Sequence, residues 1–204
     1  MGKCLIIAGG EYEAVPEDNY EYIIACDKGY EYACRMNVIP DIVVGDFDSY
    51  CGEIDKSIKT VRLPKVKDDT DTVYAVRYAM EHGHKDITIC CAFGGRLDHT
   101  VANIQTAAYI IEHYGTIRLF GNKTQIYMIK NSSISIDRVK DSYISVFSYS
   151  NSCSGVTLKG FKYEIENTEL VNSFPLGVSN EWKEQTGYIE VKDGTVCIVI
   201  SGKQ

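Results

Sequence analysis

Three acidic clusters in this chain place carboxylates where they could do chemistry. Asp46 and Asp48 flank Phe47 in Gly45-Asp46-Phe47-Asp48-Ser49, directly after the apolar run Ile42-Val43-Val44. Asp68-Asp69-Thr70-Asp71 follows, and Asp98 sits within Gly94-Gly95-Arg96-Leu97-Asp98-His99. Carboxylates gathered without lysines between them repel, and burial raises that cost. A divalent cation is the simplest compensation, and hard oxygen ligands select magnesium or calcium over softer metals. Asp46 and Asp48 share one loop, so both can turn to a single ion. Asp69, Asp71 and Asp98 are also explained as caps or first-turn acids of helices, where the dipole favours carboxylates.

Other groups lie near these clusters. Gly9-Gly10 and Gly94-Gly95 each follow an apolar run, so they are tight turns or places where backbone N–H groups approach a phosphate. The Gly-x-x-x-x-Gly-Lys-Ser/Thr phosphate loop is absent from the sequence. Arg96 could neutralise a polyphosphate or pair with a neighbouring carboxylate. Lys65 and Lys67 precede the second cluster within reach of phosphates, and also suit exposed loop positions. His99 opens a helical stretch, where a structural hydrogen bond is the commoner role. Asn103, one turn on, can face the same cleft. Trp182, the single tryptophan, is either a core ring or a platform that closes over a flat ligand.

The elements that position these residues change character along the chain. Short apolar runs at Cys4–Ala8, Tyr22–Cys26, Asp41–Gly45, Thr60–Leu63, Ile87–Cys91, Thr116–Phe120 and Gln125–Ile129 read as strands. Gly29–Met36, Asp71–His82 and Asp98–Tyr114 read as helices between them. Val73, Val76 and Met80 share a face of the second, and Val101, Ile104, Ala108 and Ile111 a face of the third. This alternation predicts a mostly parallel α/β sheet, with ligands beyond the carboxyl ends of its strands. After Asn131 the helical period fades. Ser133–Ile136, Tyr143–Tyr149, Val156–Leu158, Gly187–Val191 and Val196–Ile200 suggest an antiparallel β domain, with Asp193-Gly194 as a hairpin turn. The expected organisation is an α/β domain over residues 1–131, Rossmann-like, followed by a β-sandwich over 132–204.

Bulk properties narrow the function. The 204 residues are 45% hydrophobic and 24% charged, enough for packed cores. A net charge of -7 disfavours non-specific binding to nucleic acid or anionic membrane. No apolar run approaches the roughly 20 residues that span a bilayer. The first apolar stretch reads as a buried strand rather than a signal peptide, so a cytoplasmic protein is expected. The 8 cysteines lack zinc-site spacing and read as reduced thiols, with Cys51 beside the acidic loop the one to watch for oxidation.

In order and spacing, several motifs resemble the thiamin pyrophosphokinase family along essentially the whole chain. They are Ala25-Cys26-Asp27-Lys28-Gly29, Pro40-Asp41 with Gly45-Asp46-Phe47-Asp48-Ser49, and Lys67-Asp68-Asp69-Thr70-Asp71 with Ala75. Gly94-Gly95-Arg96-Leu97-Asp98-His99 with Asn103, and Gly177-Val178-Ser179-Asn180-Glu181, complete the set. The resemblance implies transfer of the pyrophosphoryl group of ATP to thiamin, giving thiamin diphosphate and AMP, by a homodimer. It implies that Asp46, Asp48 and Asp71 hold Mg2+ and the polyphosphate. Asp27, Lys67, Asp69, Arg96, His99 and Asn103 would serve ATP. Asp98 would stand between ATP and thiamin, and Ser179, Asn180 and Trp182 would serve thiamin, at the dimer interface. The catalytic set is then Asp46, Asp48, Asp71, Arg96 and Asp98. Lys28 stands where the family usually has a small residue.

Two other readings fit parts of the pattern. A strand followed by Asp-x-Asp also begins haloacid-dehalogenase-type phosphatases, in which Asp46 would be the nucleophile. There the motif ends the first strand, whereas here it ends the third. A module that binds ligand or metal without catalysis would use the same carboxylates to hold an ion.

Overall fold

The computed structural model describes residues 2–14, 18–47, 53–64 and 69–203. Asp48, Ser49, Cys51, Lys65, Lys67 and Asp68 lie outside the described residues. The chain divides into two compact units, Met1–Asn122 and Lys123–Gln204.

The first unit is a parallel sheet with helices. Its strands are β1 (Lys3–Ile7), β2 (Tyr22–Cys26), β3 (Ile42–Gly45), β4 (Lys59–Arg62), β5 (Asp86–Cys90) and β6 (Thr116–Gly121). They run in the order β6-β5-β1-β2-β3-β4, every neighbouring pair parallel. Cys4 to Ile7 are fully buried. Continuous apolar runs of this kind belong to strands covered on both faces. Because the strands are parallel, the loops that leave them emerge at one edge.

The helices are α1 (Gly29–Arg35), α2 (Asp71–Glu81) and α3 (Leu97–Glu112). A side chain at Gly29 would overlap Ile7 O, so glycine lets α1 start against β1. Thr70 caps α2, its hydroxyl accepting from Val73 N at 3.2 Å. In α3 the buried face is Asn103, Thr106, Ala107 and Ile110, not the predicted face through Val101, which is 48% exposed. The polar members are satisfied: Asn103 Nδ2 donates to Ala92 O, and Thr106 Oγ1 to Ala102 O. Buried polar groups with partners cost little, so hydrophobicity alone misplaces this face.

The second unit contains two antiparallel sheets. Its strands are β7 (Thr124–Lys130), β8 (Ser133–Asp137), β9 (Ser142–Ser148), β10 (Ser152–Lys159), β11 (Ile165–Val171), β12 (Gly177–Asn180), β13 (Thr186–Glu190) and β14 (Thr195–Gly202). One sheet carries β12-β9-β14-β7 and the other β11-β10-β13-β8. Ile144, Val146, Ile198 and Ile200 from the first join Val156, Leu158 and Ile189 from the second in one buried cluster.

β7 belongs to the second unit and pairs antiparallel with β14 along its whole length. One expectation changes here. Asp193-Gly194 is not a hairpin turn. β13 pairs with β10 and β8, while β14 pairs with β7 and β9. The turn passes the chain from one sheet to the other, and Gly194 N donates to Asn131 Oδ1 at 2.8 Å. β11 and β12 gave no sequence signal because Leu170 and Asn180 are their only buried residues. No helix among the described residues is long and apolar enough to cross a membrane.

Candidate active site

Loops leaving β1, β2, β3 and β5, together with the starts of α2 and α3, line one cavity of about 930 Å³. β1 contributes Ala8 to Tyr12, and β2 contributes Cys26 to Lys28. Asp46 follows β3, Asp69 to Thr72 open α2, and Gly94 to Arg96 follow β5. His99, Ala102 and Asn103 come from α3. This is the carboxyl edge of the sheet, where α/β sheets bind ligands. In the sheet order, β1 separates β5 from β2. The chain therefore leaves β1 towards one side and later returns on the other, and a crevice opens between the two sets of loops.

The acidic side chains meet here. Asp27 is half-buried and holds a positive φ of 44°. Its Oδ1 accepts from Phe47 N at 3.1 Å. Phe47 has a φ of 61°, rare for a bulky residue, and that hydrogen bond helps hold it there. Gly45 is required beside them, because a Cβ would overlap the Asp27 carboxyl. Cys26 Sγ contacts Asp71 O at 3.7 Å, tying the end of β2 to the start of α2. Burial first, then the Asp71 side chain and the Asp46 charge, push the Asp27 carboxyl up to about 7. The Asp27 carboxyl is thus partly protonated near neutral pH.

The carboxylate oxygens of Asp27, Asp46 and Asp71 in this cavity are of the type that hard divalent cations take. Among the described residues, no group of three or more side chains has the geometry of a metal site. Asp48 lies outside them.

The remaining predicted residues fall as follows. Asp69 lines the cavity, but its carboxylate pairs with Arg77. Arg96 lines it too, and its Nε donates to Asp98 Oδ1 at 3.1 Å in a two-point ion pair. That guanidinium holds the exposed Asp98 carboxyl below its ordinary range. Asp98 is not among the lining residues. His99 is exposed on the rim. Asn103 is buried at the cavity wall by its bond to Ala92 O.

In the second unit, Ser179 is exposed with a φ of 56°, and its N–H donates to Ser145 Oγ at 3.0 Å. Asn180 is buried and its amide is spent: Oδ1 accepts from Tyr163 N, and Nδ2 donates to Tyr163 O. Trp182 is a core ring, not an open platform. It is 9% exposed, packs 5.2 Å from Phe161, and donates Nε1–H to Ser142 Oγ at 3.0 Å. An indole with its hydrogen bond satisfied gains more from burial than from waiting for a ligand. Sequence reasoning missed Glu11, Tyr12 and Tyr32 as lining residues. Glu11 and Tyr12 follow Gly9-Gly10 at a strand end, which was the available signal.

The family model described as thiamin pyrophosphokinase, catalytic domain, matches residues 17–119. That described as thiamin pyrophosphokinase, vitamin B1 binding domain, matches 131–196. A thiamine pyrophosphokinase of Bacillus subtilis (strain 168) is 29% identical over 207 residues, covering 96% of this chain and 97% of that protein. The crystal structure of thiamine pyrophosphokinase from Bacillus subtilis superposes with a TM-score of 0.90 at 28% identity, covering 99% of this chain and 100% of that one. The thiamin pyrophosphokinase from Geobacillus thermodenitrificans, at 23% identity, shares the fold with a TM-score of 0.87, covering 99% and 98%. The chain belongs to the thiamin pyrophosphokinase family. It is a pyrophosphotransferase: ATP and thiamin give thiamin diphosphate and AMP.

Proposed function

We propose that the cavity of the first unit holds ATP, and that the carboxylates around Asp27 are its reacting end. The observation that carries this is the gathering of Asp27, Asp46 and Asp71 in one cavity, which raises the Asp27 carboxyl and suits a cation carrying phosphates better than it suits apoprotein stability. Asp46 and Asp71, with Asp48, would hold magnesium. When bound, the ion neutralises charge on phosphate oxygens. Asp27 and Asn103 shape the nucleotide side of the cleft, with Asp69 and His99 at its margin, and Lys67 would serve ATP as well. Arg96 reaches phosphate by exchanging its Asp98 partner for a phosphate oxygen. Asp98 then faces the thiamin side, where its negative charge suits a cationic thiazolium.

The thiamin hydroxyl attacks the β-phosphorus, and AMP leaves. Such transfers depend on alignment and charge neutralisation more than on a strong base. The cavity has no buried histidine among its described lining residues, which suits that chemistry. We read the first unit as Rossmann-like and the second as a β-sandwich serving thiamin. Ser179 offers its exposed hydroxyl to the aminopyrimidine, and Asn180 acts indirectly by fixing the backbone beside it.

We also propose a cytoplasmic homodimer. Exposed Phe174, Leu176 and Val178 lie on or just before β12, the edge strand of its sheet. Apolar side chains grouped at an edge strand favour association with a second copy. The seven described cysteines are thiols, which suits a reducing compartment.

The test is product analysis by mass with thiamin, ATP and magnesium. Asp46→Asn and Asp71→Asn should each lower kcat by about 100-fold and weaken the dependence on magnesium. Wild-type kcat in either variant removes that residue from the mechanism.

A further inference from the structure

Lys28 is a cavity residue for which the roles above have no use. It stands beside Gly9, its Cβ 3.7 Å from where a Gly9 side chain would begin. Its ammonium lies 5.3 Å from the centre of the Tyr32 ring. Tyr32 is itself fixed: it is 5% exposed, and its hydroxyl donates to Gly10 O at 2.7 Å. A lysine on a loop normally gains rotamer entropy by swinging into water. Here a cation–π contact with an anchored ring holds it at the cavity, and its interaction with Tyr32 keeps it protonated.

The charge balance of the cavity gives this position a consequence. Glu11, Asp27, Asp46, Asp69 and Asp71 line it, against Lys28 and Arg96 as permanent cations. Arg96 is already paired with Asp98. Among the described residues, Lys28 has no carboxylate within ion-pair distance. A polyanionic ligand entering an acidic cavity needs cations that do not first have to give up a partner.

We propose that Lys28, held in place by Tyr32 beside the Gly9-Gly10 turn, is a phosphate-positioning cation that makes the site prefer the triphosphate of ATP over the monophosphate of AMP. This rests on the reading of the cavity as the ATP site. It gives Lys28 a share in substrate binding and in product release, since AMP carries only the one phosphate that remains after transfer. The competing explanation is that Lys28 only braces the Tyr32 ring.

Calorimetric titration of the full chain with ATP, AMP or adenosine, without thiamin, decides between them. In Lys28→Gln, the Kd for ATP should rise about tenfold, the loss expected of one charge-assisted contact. The Kd for adenosine should not move, and the preference for ATP over AMP should shrink. Lys28→Arg, which keeps the charge, should retain ATP affinity within about threefold. In turnover, KM for ATP should rise more than kcat falls. If Lys28→Gln binds ATP as the wild type does, or loses ATP and adenosine equally, the assignment fails while the cavity reading stands. If the wild type itself binds adenosine as tightly as ATP, both fail together.

Discussion

Replacing Asp27 by asparagine should make the metal-free protein more stable at alkaline pH. The Asp27 carboxyl titrates at about 7 in the folded protein against an ordinary 3.8. The native state therefore keeps a proton that the unfolded chain releases. Stability falls as pH climbs from about 4 to about 7, because over that window the unfolded state binds fewer protons. A shift of about three units sets a ceiling near 4 kcal/mol. The carboxyl is only half-buried, and solvent screens it, so about 2 kcal/mol is the expected span. Asparagine keeps an oxygen to accept from Phe47 N and offers an amide to Asp71, but it has no proton to lose. Urea unfolding in EDTA should show Asp27→Asn gaining about 2 kcal/mol on the wild type between pH 4.5 and pH 8, with unchanged m-values. Parallel stability profiles for the two proteins across that range would refute the retention of a proton on Asp27.

Gly45→Ala should cost about 1–3 kcal/mol by overpacking and displace the Asp27 carboxyl. Urea midpoints and ATP titration check it, and wild-type values in both would show that the loop yields freely. Thr70→Ala should lower stability by about 1 kcal/mol through loss of the α2 cap, and Thr70→Ser should restore most of it in the same assay. Trp182→Ala should cost about 3–5 kcal/mol, as for other buried aromatics. Trp182→Phe, which keeps a ring in the core, should leave thiamin affinity unchanged in the folded enzyme. A large loss of thiamin affinity at wild-type stability would overturn the core assignment of this ring.

Much of the first unit was legible because most of its strands, β1, β2, β3 and β5 among them, are short apolar runs, and α2 is capped and periodic. The burial of Asn103 and Thr106 on α3 was not legible, because it depends on the partners Ala92 O and Ala102 O. The same limit applies to Asp193-Gly194. A turn signal reports that the chain bends, while which strands then pair depends on the sheets available on either side. Trp182 and Asn180 looked like ligand groups from their motif. Phe161, Ser142 and Tyr163 take up their interactions instead. Lys28 was visible only as an unusual residue, and its neighbour Tyr32 is what gives it a position.

By itself, the order of acidic and glycine-containing motifs determined the family and, through it, the reaction, since spacing along a chain is preserved however it folds. Only the tertiary structure decided that Asp27 and Asp71, far apart in sequence, interact strongly enough to help raise the Asp27 carboxyl. That interaction grows with closeness and burial, and neither can be read from residue order.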